Sequence, residues 1–196
     1  MWNPNAESAA QFAAQHEIPQ HYSDINALLQ QAGKDVWTVG KIGDIFVGRG
    51  ITQSTPTKSN AHSMEVALAL QQQDFHGLCF VNLVDFDSAY GHRNDIDGYA
   101  NALREFDAWL PLFLQAMQPE DVLMITADHG CDPRHPATDH TREYVPLIVY
   151  GQKILPAALG TRKCFADVAA SITHWLQVPF TCAGESFAQN ITAEQG

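Results

Sequence analysis

Positive charge is scarce in this 196-residue chain: 11 Lys and Arg stand against 22 Asp and Glu, for a net charge of −11. No basic stripe offsets that balance, which argues against a nucleic-acid or anionic-membrane partner. The same deficit means that an anionic substrate would need bound cations to reverse the local field. Cysteine is sparse too. Cys79, Cys131, Cys164 and Cys182 form no C-x-x-C pair, so a reduced, cytoplasmic protein is expected. Cys79 lies in an apolar run and reads as a small buried hydrophobe. Uninterrupted apolar sequence never approaches the roughly 18 residues of a membrane-spanning helix. Residues 1–30 carry neither a basic patch nor an apolar stretch of the kind that makes a secretory leader, and none is expected there. No internal repeat is present.

What the chain does have is apolar content, 45 % of residues, and enough length for one real core. Residues 1–33 are weakly patterned, with a short helix through Leu28 and Leu29 that Ser23 or Asp24 would cap and Gly33 would end. From residue 34 to 190 the pattern is that of a core domain, and a frayed tail is expected over 191–196. Val36–Val39 reads as a strand running through Gly40 and Lys41 into a short helical turn. Residues 48–52 read as a loop and 53–60, polar with one proline, as surface connection. Ser63–Gln73 suits a helix and Gly77–Val84 a strand covered on both faces. Between Ile96 and Met117, apolar residues recur at three- and four-residue spacing, predicting a long amphipathic helix kinked or broken by Pro111. Val122–Ile125 and Val145–Tyr150 read as strands, 152–163 as a loop, and Phe165–Leu176 as a helix with Ile172 and Trp175 inward. Strands and helices in this alternation predict an α/β fold: a mostly parallel sheet with helices on both faces.

The apolar strands end in metal-ligand chemistry. After the Gly77 strand come Asp87 and His92; after the Val122 strand come Asp128, His129 and Gly130; His140 follows ten residues on. Strand ends facing a cleft are where open α/β sheets bind ligands. Asp128 and His129 cannot both face inward on a regular strand, but a chain bending at Gly130 lets both reach one cleft. Three imidazoles and two carboxylates suit Mn²⁺, Zn²⁺ or Fe²⁺ better than Ca²⁺. Five ligands from three loops exceed what one zinc ion needs and point to two ions sharing a cleft. His62, His76, His135 and His174 lack this context and read as solvated or capping side chains, as do His16 and His21 near the start.

Three segments carry a resemblance: Asp85-Phe86-Asp87-Ser88-Ala89-Tyr90-Gly91-His92-Arg93, Thr126-Ala127-Asp128-His129-Gly130-Cys131-Asp132-Pro133, and Thr138-Asp139-His140-Thr141-Arg142-Glu143-Tyr144-Val145-Pro146. They resemble the C-terminal metal-binding motifs of phosphopentomutase, in the alkaline phosphatase superfamily. Val39–Phe46 is similar to the segment by which that family re-enters its core after a cap domain. The D-H-T-R-E run is the discriminating piece; D-H-G is shared across the superfamily. The resemblance, over about residues 34–190, implies an alkaline phosphatase-like core and interconversion of ribose or deoxyribose 1-phosphate and 5-phosphate. It implies two divalent ions, Mn²⁺, with Asp87, His92 and His140 on one and Asp128 and His129 on the other. Lys41, at a strand's end, and Arg142, with its planar fork, are the candidates for phosphate or site contacts. The family's N-terminal aspartate ligand and nucleophilic threonine match nothing here, so no catalytic nucleophile is identified and the sheet is expected to be incomplete, with an exposed edge that favours self-association. Another phosphomutase or phosphatase of the superfamily, and a non-catalytic metal-binding module, are the alternatives.

Overall fold

The computed structural model describes residues 25–193; the cap residues expected at Ser23 or Asp24, and His16 and His21, lie outside them. Helix α1 (Ile25–Gln31) leads into strand β1 (Asp35–Val39), a short helix α2 (Ile42–Ile45), strand β2 (Gln53–Thr55), helix α3 (Asn60–Leu70) and strand β3 (Gly77–Val81). A π-helical turn (Phe86–Tyr90) and a 3₁₀ turn (Gly91–Arg93) precede the long helix α4 (Ile96–Ala116). Strands β4 (Leu123–Thr126) and β5 (Leu147–Tyr150) and helices α5 (Ala166–Trp175) and α6 (Ala188–Ile191) complete the chain.

β1 organises the core because its side chains are buried on both faces. Val36 packs with Leu29 and Val178, beneath α1 and the end of α5. Trp37 and Val39, pointing the other way, pack with Leu70 of α3, and Phe75 stacks on Trp37 at 4.5 Å. The sheet β2-β1-β3 is parallel throughout, with helices on both faces as the alternation predicts. Its β2 strand is a departure, since residues 53–60 read as mere connection. β2 has no apolar stripe. It is held by polar contacts instead: Thr38 Oγ1 donates to Ser54 Oγ at 3.0 Å, and Thr52 Oγ1 bonds both the N–H and the C=O of Val36.

The second departure is β5, which pairs with β4 antiparallel. No helix lies between those two strands, so there is no crossover to bring the chain back in the same sense. Among the described residues, β3 and β4 are not paired with each other, and Phe80, Ile148 and Tyr150 are 40–54 % exposed, consistent with the expected incomplete sheet. α4 continues through Pro111 without a break. The bond that a proline removes is the one to the carbonyl of residue 107, and both residues lie on the exposed side of the helix. Its apolar residues Leu103 and Leu112 are half exposed. Ser59 starts α3 earlier than its apolar pattern does, by accepting from the N–H of His62 at 3.2 Å. The end of the chain is not frayed at Ile191: that side chain is buried, its carbonyl accepts from Leu155 N–H, and Ala193 N–H donates to Lys153 O.

Candidate metal centre

Two loops build the site, one after β3 and one after β4. The first is anchored to α3. Asp85 accepts from the N–H of Asn60 at 2.7 Å, and Asn60 Oδ1 accepts from the N–H of Asp85 at 2.9 Å. This reciprocal pair fixes the start of the π-helical turn that presents Asp87; such turns are frequent at functional sites. Gly91 then passes so close to Cys131 Sγ that a β-carbon would collide with it. The second loop is folded back on itself by an antiparallel bridge between Gly130 and Thr141, with Thr141 N–H donating to Gly130 O at 3.0 Å. A β-carbon at Gly130 would strike Glu143 and the Thr141 carbonyl. His129 and His140 flank that bridge diagonally, one on each segment, and their rings stack at 3.5 Å.

Ligand atoms of Asp87, His129 and His140 lie within 4.8 Å of one another. Asp87 Oδ1 is 3.2 Å from Nε2 of His140 and 3.2 Å from Nε2 of His92. His92 Nδ1 bonds the carbonyl of Thr138, so Nδ1 carries a proton. A neutral His92 therefore turns a bare Nε2 lone pair toward a carboxylate oxygen. Two acceptors facing each other need a cation between them, either a proton or a metal ion. The donor set fits a divalent metal, and the Thr138 carbonyl is the kind of supporting partner that fixes a ligand histidine's orientation.

The candidates are not all in one place. Asp87, His92, His129 and His140 converge. Asp128 is 82 % exposed, with its carboxylate 3.7 Å from His129 Nε2, and is outside the converging group. His129 keeps Asp128 as a neighbour, and its ring also lies with Asp87 and His140. Lys41 is exposed at the C-terminal end of β1, where Gly40 (φ +83°) lies so near the Asn82 carbonyl that a β-carbon would stand only 2.7 Å from its oxygen. Arg142 is exposed next to the Gly130–Thr141 bridge. The four histidines read as solvated are all exposed; His76 meets Lys34 Nζ at 2.7 Å.

Cys131 and Tyr99 are neighbours of the centre that motif reading passed over. Cys131 Sγ is 3.9 Å from Asp87 Oδ1. Burial, then the Asp87 carboxylate, pushes its thiol up. Burial, then Cys131, Asp132 and Asp87, raises the Tyr99 phenol likewise. Both stay protonated at neutral pH and add no negative charge. A hollow of about 200 Å³ lined by Tyr99, His129, Cys131 and Glu143 opens beside them. The signal for Cys131 was its place directly after D-H-G; nothing in the sequence marks Tyr99 beyond its place on the apolar stripe of α4.

Comparison with known proteins gives the family and the fold. The family described as Metalloenzyme superfamily matches residues 14–180. The chain is 59 % identical over 162 residues to a phosphopentomutase of Lachnoclostridium phytofermentans, covering 82 % of this chain and 42 % of the relative. It is 53 % identical over 160 residues to a phosphopentomutase of Acetivibrio thermocellus, covering 81 % of this chain and 41 % of that protein. The chain thus spans about two fifths of the length of these curated relatives. In fold it is similar to Leishmania mexicana phosphoglycerate mutase, whose structure was determined at low cobalt concentration (TM-score 0.65, 17 % identity, 86 % of this chain and 39 % of that one). It is also similar to the PH0037 protein of Pyrococcus horikoshii (TM-score 0.58, 16 % identity, 80 % and 53 %).

Proposed function

Because the chain belongs to the metalloenzyme superfamily, we propose that it forms the metal-binding part of a phosphopentomutase, acting on ribose or deoxyribose 1-phosphate and 5-phosphate. The observation that carries this reading is the convergence of Asp87, His129 and His140, with His92 on the same carboxylate oxygen. Identities of 59 % and 53 % to proteins of that name support the substrate class.

Asp87, His92, His129 and His140 would hold one ion, and Asp128, at the exposed edge of the group, would reach toward a second; Mn²⁺ is the metal we assign. Bound divalent ions would neutralise phosphate oxygens and stabilise the charge that develops in transfer. That contribution matters in a chain of net charge −11. The remaining residues orient and admit the substrate. Thr138 O keeps His92 in the tautomer with its free lone pair toward the centre. Lys41 and Arg142 are the side chains that would contact the phosphate. Cys131 and Tyr99, held protonated, keep the floor beside Asp87 neutral. Among the described residues no helix is long and apolar enough to cross a membrane, and a cytoplasmic site of action is part of this proposal.

No Ser or Thr of this sequence stands in the context of the family's nucleophile. The 196-residue chain alone is therefore expected to bind metal without mutase turnover. Mixing it with the portion of a relative that it does not match should restore conversion of ribose 1-phosphate to 5-phosphate in the presence of Mn²⁺. Turnover by the chain alone at ordinary enzyme rates would sink the claim about the nucleophile. Restored activity on phosphoglycerate but not on pentose phosphates would move the assignment to another phosphomutase. Metal binding with no activity in any combination would leave a non-catalytic module.

A further inference from the structure

We propose that Asn94 is a positioning residue for the metal centre: its carboxamide holds the 133–138 loop in the one shape that seats His140 and His92 on Asp87. The proposal rests on the metal reading of that cluster. Residues 134–140 are all exposed and form no helix or strand; local bonds to Asp132 and His135 shape the turns of this stretch but do not tie it to the rest of the fold. Yet its carbonyls at alternate residues turn toward a single group. Asn94 Nδ2 donates to His135 O at 2.7 Å and to Pro133 O at 3.2 Å, with Ala137 O at 3.4 Å. An amide NH₂ has two hydrogens, so three carbonyls share them. Two residues before Asn94, His92 Nδ1 bonds Thr138 O. Two residues beyond Thr138 stands His140, 3.2 Å from Asp87.

Asn94 is itself rigidly mounted. It ends the 3₁₀ turn in the left-handed region, φ 53° and ψ 31°, with its N–H on Gly91 O at 3.1 Å. The next residue, Asp95, caps the 21-residue α4 by accepting from Gly98 N–H at 2.9 Å. Asn tolerates this backbone conformation better than most residues, and its carboxamide brings two N–H donors to it. Asp has the same shape and brings none. Gly has the backbone freedom and no side chain. The two substitutions therefore separate the carboxamide from the turn that carries it.

The test is calorimetric titration of the 196-residue chain with Mn²⁺, for wild type, Asn94→Gly and Asn94→Asp, with hydrogen exchange followed on the metal-free chains. Both variants should bind Mn²⁺ about 10–100-fold more weakly, the loss typical of removing a supporting partner of a metal ligand. Exchange should quicken over 133–140 and stay unchanged at Trp37 and Thr38 in β1. The visible absorption of the Co²⁺-loaded chain should also shift, reporting altered ligand geometry. Wild-type affinity in both variants would overturn the proposal. So would weaker binding accompanied by equal acceleration in β1, since that reports a general loss of fold. A wild-type chain that takes up no Mn²⁺ would overturn the metal reading and this proposal together, an outcome visible before any variant is made.

Discussion

Gly91 and the sulfur of Cys131 touch so closely that no β-carbon fits between them. The contact closes the loop after β3 onto the loop after β4, and with it Asp87 onto the two histidines that flank the Gly130–Thr141 bridge. Gly91→Ala should destabilise the metal-free chain by about 1–3 kcal/mol, the usual cost of overpacking, measured by urea unfolding. Cys131→Ala in the same chain should return part of that loss; the carbonyl of Phe86, 2.9 Å from the added carbon, accounts for the rest. If the double variant is no more stable than Gly91→Ala, the collision is not with the sulfur.

Removing a ligand should cost more than removing a support. Asp87→Asn and His140→Ala are each expected to lower Mn²⁺ affinity beyond the about 10–100-fold associated with supporting partners. His62→Ala, an exposed residue on α3, should leave it unchanged. Equilibrium dialysis decides this. Retention of the tightest ion in Asp87→Asn would mean that the carboxylate shared by His92 and His140 is not a ligand.

Acid stability should depend on Asp167, a carboxylate buried at the start of α5. Burial alone would raise its pKa. The N–H of Glu185 at 2.8 Å and the Arg162 guanidinium, also at 2.8 Å, outweigh burial and hold it below the ordinary 3.8. In the unfolded chain the group protonates first. Its contribution is thus complete above the unfolded value and is lost as pH falls through the folded one. Asp167→Asn should cost about 2 kcal/mol near neutrality and flatten the stability curve below pH 4. An unchanged acid limb in denaturant titrations from pH 6 to pH 2.5 would contradict this.

Thiol labelling should separate the cysteines. Burial pushes the Cys79 thiol up to about 11, so at pH 8 its thiolate is about one part in a thousand. Cys164 is exposed. Iodoacetamide at pH 8 should modify Cys164 within minutes and Cys79 only after denaturation, as read by peptide mass spectrometry. Equal rates for the two would mean that β3 opens far more readily than its pairing with β1 implies.

The motif residues and most elements were legible in the sequence because they follow local rules. Val36–Val39 and Gly77–Val81 are apolar runs of strand length, and the spacing from Ile96 to Met117 has one helical reading. β1 is covered on both faces, while β3 leaves Phe80 40 % exposed, short of the double cover its sequence predicts. Asp87, His92, Asp128, His129 and His140 stand out because each follows such a strand. What local rules cannot supply is pairing between distant segments. β2 is polar and exists only because β1 offers it a ladder; β5 runs antiparallel because the long loop returns without a helix. Which histidine joins which carboxylate was likewise decided in three dimensions. Asp128 stays 3.7 Å from His129 yet outside the converging group, while the His129 ring stacks on that of His140. Asn94 shows the same division: its type suits a turn, but the three carbonyls it meets lie 39 to 43 residues away. Sequence determined which residues are candidate ligands because donor chemistry belongs to residues, whereas tertiary structure decided their grouping because close approach depends on packing between loops far apart in the chain.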